Sequence, residues 1–394
     1  MNYFSWLFLT LNIICLPLIL DSVMRSMLLF RLLSLRVLGR RKISSSPTTP
    51  KIPGRGAIVL IAARDEAGTI GATVASMLPL LGEWPGSQLH VVADHCVDGT
   101  AAEARVAGAT VAERQTGPSG KGAVIEWWLA GNIDLWSRME VVVIVDADSR
   151  LAPGSLAALG EAIAGGADAA QAFVAPLAES RTARLAGWSE VLMQQIDDQA
   201  RQQSGWAVPL RGTGMALRCP ILAELAPLLH TQAEDLELDL LLAVRDARVE
   251  FVPGAILYDP KPLQAAGASR QRARWFRGQL DVIYDYHAQL GQILARGRQR
   301  SLTGDLFLLV LLFLRPKLLM IGLRLLLLPF IPVVALFGLV LDLVYYAAGV
   351  AFVDRPAQYL RDLCAVPLYA AVWLYGLFLA IINRGRQVWL KAGR

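Results

Sequence analysis

The chain has 394 residues, 55% of them hydrophobic and only 18% charged, with a formal net charge of +5 and a mean hydropathy of +0.44. That balance excludes an ordinary soluble enzyme and points to an integral membrane protein. It also argues against a nucleic-acid partner, because the basic residues track the ends of apolar stretches and not one face of a polar domain.

Residues 3–20 carry no charge, Arg25, Arg31, Arg36, Arg40, Arg41 and Lys42 follow, and from Arg25 to Arg55 there is no acidic residue. A cleaved signal peptide places its charge before the apolar run and a small-residue site after it. The order here predicts an uncleaved anchor over 1–42, with the N-terminus outside and residue 25 onward in the cytoplasm, where the basic clusters suit anionic headgroups. Residues 43–56 (ISSSPTTPKIPGRG) read as a linker.

Residues 57–300 read as one α/β domain. Ala57–Ala62, Leu89–Ala93 and Val141–Val145 are apolar runs that suit strands buried on both faces. A helical pattern at Ile70, Val74, Met77 and Leu78 follows the first, and an Ala-rich helix follows the second. Strand–helix alternation of this kind predicts a Rossmann-like, open, mostly parallel sheet. Each run ends in polar residues, so Arg64, Glu66, Asp94, Asp146 and Asp148 should converge on the crevice beyond the strand ends.

Several motifs carry chemistry. Asp146-Ala147-Asp148 at a strand end lets a divalent cation be held by carboxylate while it bridges a diphosphate; a pair of turn aspartates is the plain alternative. Asp94 precedes Asp98-Gly99-Thr100, where Asp98 or Thr100 suits a helix cap, and His95 with Cys96 makes no metal site. Lys121, flanked by Gly120 and Gly122, lacks full P-loop spacing, yet it can touch a diphosphate or stand as a solvated loop lysine. Gly212 and Thr213 lie in a Gly-rich break that either lets a backbone approach an acceptor or is an ordinary turn. Glu234-Asp235 heads a helical segment, where a carboxylate can serve as general base or favour the helix dipole. Gln271, Arg274 and Trp275 lie in a basic helical stretch: Arg274 can fork onto a diphosphate and Trp275 can stack on a sugar ring. Arg270, Arg272 and Arg277 are expected to face the membrane surface.

Residues 301–324 contain the apolar run 306–320, broken by Arg315-Pro316-Lys317 and followed by Arg324, which predicts an interfacial helix. Residues 325–347 and 363–383 are each long enough to span. The loop between them is charge-balanced and the tail after Asn383 purely basic, so 325–394 should hold two spans and a cytoplasmic tail. The four cysteines include no Cys-x-x-Cys pair and support neither zinc nor disulfides.

Taken in this order, Asp-x-Asp, Glu-Asp and Gln-x-x-Arg-Trp resemble glycosyltransferase family 2, the GT-A inverting enzymes, in its membrane-embedded branch of cellulose, chitin and hyaluronan synthases and ceramide glucosyltransferases. The resemblance covers about residues 55–280. It implies a cytoplasmic GT-A domain with N- and C-terminal transmembrane helices, a UDP-sugar donor and Mg²⁺ or Mn²⁺. It further implies that Asp94 contacts the uracil, that Asp146 meets the diphosphate or metal and that Asp148 ligates the metal; by their positions alone Arg64 and Glu66 can frame the base and ribose and Lys121 can border the donor diphosphate. By the same resemblance Asp235 would be the base, and Gln271, Arg274 and Trp275 would border donor and acceptor; Gly212, Thr213 and Glu234 are acceptor-side candidates from their own local pattern. The first loop departs from the family, reading Ala-Ala-Arg-Asp-Glu where Pro-x-x-Asn-Glu is usual. Three spans leave little material for a polymer channel, so the expected acceptor is a membrane lipid or lipid-linked hydroxyl at the cytoplasmic leaflet. The rival is a processive exopolysaccharide synthase subunit whose pore is completed by partner chains of an oligomer or export complex. A catalytically dead scaffold is disfavoured by the intact carboxylates at Asp146, Asp148 and Asp235.

Overall fold

The computed structural model describes residues 18–19, 21–24, 26–34, 52–288 and 317–382. The start of the expected anchor, most of the linker, the first part of the expected interfacial helix and the basic tail lie outside the described residues.

Eight strands form one sheet: β1 (Ala57–Ala63), β2 (Gln88–Asp94), β3 (Thr110–Arg114), β4 (Val141–Asp146), β5 (Arg150–Leu151), β6 (Ala169–Leu177), β7 (Met215–Arg218) and β8 (Val249–Pro260). Their order is β3-β2-β1-β4-β7-β6-β8-β5. β1 is central, with Val59 beside Leu89 on one neighbour and Val143 on the other. Side chains alternate across a strand, so β1 feeds two cores at once. Ile58 and Leu60 pack with Val124, Trp128 and Leu222 on one face. Val59 and Ile61 pack with Ile70, Val74, Leu156 and Leu159 on the other. Covering both faces is what makes the run continuously apolar, and each fully buried side chain of this size contributes about 1.5–3 kcal/mol.

β1 to β4 are mutually parallel. β7 is antiparallel to both β4 and β6, which returns β6, and with it β8, to the direction of β1. Six of the eight strands therefore point one way, as a mostly parallel sheet requires, and only β5 and β7 run against them. Since β7 is reversed, the chain enters it at the edge where β1, β2, β4, β6 and β8 end.

The helices that shape this edge are α1 (Ile70–Met77), α2 (Thr100–Val106), α3 (Lys121–Gly131), α4 (Ser155–Ala164), α5 (Arg181–Leu192), α6 (Glu234–Val244) and α7 (Ala265–Asp285). α6 begins with Glu234, Asp235 and Glu237 in its first turn, where acids complement the helix dipole. After α7 come α8 (Lys317–Leu327), α9 (Pro332–Ala348), α10 (Pro356–Leu363) and α11 (Val366–Ile382).

This last region differs from the sequence expectation in three ways. Arg324, read as a headgroup contact, is fully buried: it pairs with Asp342 at 2.5 Å and Asp21 at 2.8 Å and donates to Ser22 Oγ at 2.7 Å and to the Leu18 carbonyl. A guanidinium lodged between two carboxylates is compensated for much of its burial, which suits α8 packing inward, although its Nε has no hydrogen-bond partner among the described residues. The expected span 363–383 holds one helix of 17 residues, α11, set at a 64° bend to α10, which precedes it. The loop expected on the far side of a membrane is docked on the α/β domain itself. Asp362, in α10, accepts from Arg184 at 2.8 Å and from the Trp188 indole at 3.2 Å, and Tyr345 donates to Asp197 at 3.2 Å. Charge balance in that loop hid a buried ion pair with α5.

Candidate active site

A cavity of about 750 Å³ opens along the shared strand edge, a volume typical of small-molecule sites. Arg64 and Glu66 reach it from the β1 loop, Asp94 from β2, and Asp146 and Asp148 from β4. Gly212 and Thr213 lead into β7, while Lys121 opens α3, Glu234 and Asp235 open α6, and Gln271, Arg274 and Trp275 lie on α7. All thirteen candidate residues therefore line one space, although they span more than two hundred positions of sequence.

The loop 211–214 is fixed from several directions. Thr213 Oγ1 accepts from the Asp146 N–H at 3.0 Å, and the buried Gln171 accepts from the Arg211 N–H at 2.9 Å while donating to the Thr213 carbonyl at 3.0 Å. Gly212 and Gly214 have φ of +74° and +64°, a left-handed backbone that side chains resist. A methyl group on Gly214 would also lie 3.1 Å from Ala172 Cβ. The glycines thus let the chain turn tightly against β4 and α6.

Lys121 is not a solvated loop lysine. Its ammonium pairs with Asp146, lies 3.4 Å from Glu234 and donates to the Gly212 carbonyl at 3.0 Å. Burial opposes its charge, but the Asp146 and Glu234 carboxylates outweigh that cost and hold the amine above the usual lysine range. Glu234 is raised as well: burial pushes its carboxyl upward, Lys121 pulls it down, and the neighbouring Asp235 adds to the rise. Asp235 accepts the N–H of Leu236 at 2.9 Å, which points its carboxylate along the first turn of α6.

Asp94 is buried and held by its neighbour His95 and by Arg114, which the motifs did not flag. Arg114, at the end of β3, pairs with it at 2.5 Å and also donates to the Pro118 carbonyl, while His95 Nδ1 lies at 2.9 Å. Asp65 and Asp98 mainly order the loops, accepting the N–H groups of Val97 at 2.9 Å and Thr100 at 3.0 Å.

Four further cavity residues were missed because they meet only in the fold. Lys261, just past β8, pairs with Glu190 of α5 and with Asp259 at 2.6 Å, and Asp259 also accepts from Ser149 Oγ at 3.0 Å. Burial works against the Lys261 charge, yet the two carboxylates raise its pKa above the usual range. The only sequence signal was two charges around Pro260 at a strand end. Trp373 of α11 also lines the cavity, its ring 6.2 Å from Trp275.

Arg272, expected at the membrane surface, is buried. Its guanidinium lies 4.9 Å from the ring centroids of both Trp275 and Trp373 and donates to the Tyr369 hydroxyl at 3.0 Å and to Gln271 at 2.7 Å. Cation–π contact between α7 and α11 replaces the lipid contact. Arg270 is exposed and Arg277 half-buried. In total the lining holds ten carboxylates against five Lys and Arg side chains. An acid-rich cavity of this kind suits a ligand that brings positive charge.

A family model described as glycosyl transferase family group 2 matches residues 141–381. No curated protein matches the chain. Among solved structures, a mannosyltransferase, PcManGT, from Pyrobaculum calidifontis, in complex with GDP-Man and Mn²⁺, is 17% identical with a TM-score of 0.55; the match covers 95% of this chain and 99% of that one. Glucosyl-3-phosphoglycerate synthase from Mycobacterium tuberculosis, in complex with Mn²⁺, UDP and phosphoglyceric acid, matches at 22% identity and a TM-score of 0.39, over 55% of this chain and 74% of its own.

Proposed function

The chain belongs to glycosyl transferase family group 2 and has its GT-A fold, and from that premise we propose that it moves a sugar from a UDP-sugar to a hydroxyl of a membrane-lipid or lipid-linked acceptor, with inversion. The observation that carries this reading is the meeting of Asp146, Asp148, Asp235, Arg274 and Trp275 on one cavity at the carboxyl edge of the sheet.

A divalent cation, Mg²⁺ or Mn²⁺, fits the residues present. Asp146 and Asp148 offer hard carboxylate oxygens to the cavity, and the excess of acids there would repel a diphosphate that arrived without a counter-charge. When bound, the ion would neutralise the departing diphosphate. In the proposed reaction Asp235 takes the proton from the acceptor hydroxyl as the oxygen bonds to the anomeric carbon. The bond from that carbon to the diphosphate breaks on the opposite face, and UDP leaves toward Arg274, whose guanidinium balances its charge. Asp94, held by Arg114, faces the base; Arg64, Glu66 and Lys121 border the rest of the donor. Gly212, Thr213, Glu234, Gln271 and Trp275 form the acceptor side.

The bilayer part of the proposal rests on α9 and α11. Pro332–Phe352 is a 21-residue apolar helix, about 30 Å at 1.5 Å per residue, which matches a hydrocarbon core. Val333, Leu368 and Phe330 are 79%, 76% and 75% exposed, a cost in water that lipid removes. Trp373 joins this apolar region to the cavity, which is why a lipid acceptor is favoured. We place the catalytic domain on the cytoplasmic side.

The test is UDP release by the purified chain with Mn²⁺ or Mg²⁺ across a panel of UDP-sugars, with and without membrane lipid. Lipid-stimulated release that disappears in Asp235→Asn supports the proposal. Release that survives in Asp235→Asn overturns the base, and no release from any UDP-sugar overturns the donor.

A further inference from the structure

Resting on the glycosyl-transfer reading above, we infer that the acceptor headgroup is uncharged: a lipid whose reactive hydroxyl stands on a neutral polyol, and not one bearing a phosphate or carboxylate. The acceptor end of the cavity is bounded by the ends of β6 and β8 and by α5, α7 and α11. Its rim is apolar, with Leu177, Leu263 and Trp275 at 46%, 40% and 40% exposure, and Trp373 stands behind them. An acyl chain can lie along that rim while the headgroup passes inward.

Inside, the cations are already committed. Lys261 is held by Glu190 and Asp259, Lys121 by Asp146 and Glu234, and Arg211 by Asp198. Arg272 is withdrawn behind the two tryptophan rings, and Arg274 is assigned to the departing diphosphate. A helix N-terminus would welcome an anion, but α6 fills its own first turn with Glu234, Asp235 and Glu237. A phosphate entering here meets carboxylates whose counter-charges are spent. A hydroxyl meets acceptors: Glu179 and Glu190 line the same end and can take hydrogen bonds from a polyol, while the Trp275 and Trp373 rings suit its C–H faces.

The experiment offers the full chain, in nanodiscs with Mn²⁺ and its best UDP-sugar, either dioleoylglycerol or a polyprenyl phosphate at equal content. Labelled hexose in the organic phase is counted, and UDP release without acceptor is measured alongside. The expected result is transfer to dioleoylglycerol at least roughly tenfold faster than to the phosphate lipid, the ratio that about 1.4 kcal/mol provides. Glu190→Gln removes one of the two carboxylates on Lys261 and should narrow that ratio by raising use of the phosphate lipid. Asp259→Asn should act in the same sense and guards against a folding defect in the first variant. Equal or faster transfer to the phosphate lipid overturns the inference while leaving glycosyl transfer intact. So does a ratio that neither variant moves, or transfer to water-soluble glycan alone. Absence of UDP release from every donor overturns the underlying reading and this inference with it.

Discussion

Gly278 of α7 lies against Ala233, the residue immediately before Glu234-Asp235, so closely that a methyl group on Gly278 would stand 2.5 Å from Ala233 Cβ and 3.1 Å from its backbone nitrogen. Only hydrogen fits between α7 and the start of α6. Gly278→Ala should therefore push the Glu234-Asp235 turn away from the cavity, at about 1–3 kcal/mol of overpacking. Turnover should fall about tenfold or more, with a lower Tm. Adding Ala233→Gly to the same chain should recover part of both, since it removes the atom that clashes. Independent, additive losses in the double variant would refute the contact as the cause.

Asp235→Asn keeps the shape of the first turn of α6 and removes the proton acceptor. The expected loss in kcat is roughly 10²–10⁴-fold, with nucleotide-sugar binding unchanged. A matching loss of donor affinity would instead place Asp235 in donor binding.

Removing divalent cations with a chelator should abolish UDP release, and added Mn²⁺ should restore it. Asp148→Ala should raise the Mn²⁺ concentration needed for half-maximal rate. Full activity in excess chelator would refute the metal site.

How far the sequence alone could reach is uneven, and the reason is distance along the chain. Asp94 and Asp146 were legible because apolar runs that lead into polar residues are local patterns, and the start of α6 and the course of α7 were legible for the same reason. Lys261 was not, because Glu190 reaches it from α5, some seventy residues away. Arg272 was misread because its basic helix looks amphipathic until Trp373 and Tyr369 arrive about a hundred residues later to enclose it. Trp373 itself was lost inside an apolar run that composition reads only as a span.

His230, in the loop before α6, is tied to the end of α7. Its Nε2 lies 3.2 Å from Asp285, and the buried Glu237 accepts the N–H of His230 and the Tyr286 hydroxyl. Burial opposes the charged ring, but the Leu228 carbonyl and the carboxylates of Glu237 and Asp285 outweigh it and raise the pKa above the usual 6.5. A raised folded-state pKa contributes stability that is complete below the unfolded value and lost as pH climbs through the folded one. The Tm difference between the native chain and His230→Gln should therefore be largest below about pH 6.5 and shrink above neutrality. It should stay small, because the ring is more than half exposed to screening solvent. A difference that grows with pH would overturn the assignment.

Docking of α10 on α5 through Asp362 and Arg184 sets the side on which the connection before α11 lies. Cys364 is exposed just after it. In a chain whose other three cysteines are replaced by alanine, a membrane-impermeant maleimide should label Cys364 from the side that also exposes the catalytic domain. Labelling from the opposite side alone would restore the arrangement expected from loop charges.

Asp21 and Arg324 meet across 303 positions of sequence, and this sets a clock on biogenesis. At about 5–20 residues per second, a ribosome needs roughly 15–60 s to deliver the arginine after the aspartate has emerged. During that interval the Arg324 guanidinium is not yet there for Asp21 to meet, and the helices at the two ends cannot yet settle into one bundle. Assembly of the membrane-proximal part is therefore a late event, completed only when the last quarter of the chain has been made, whereas the sheet that carries Asp94 and Asp146 can form well before it.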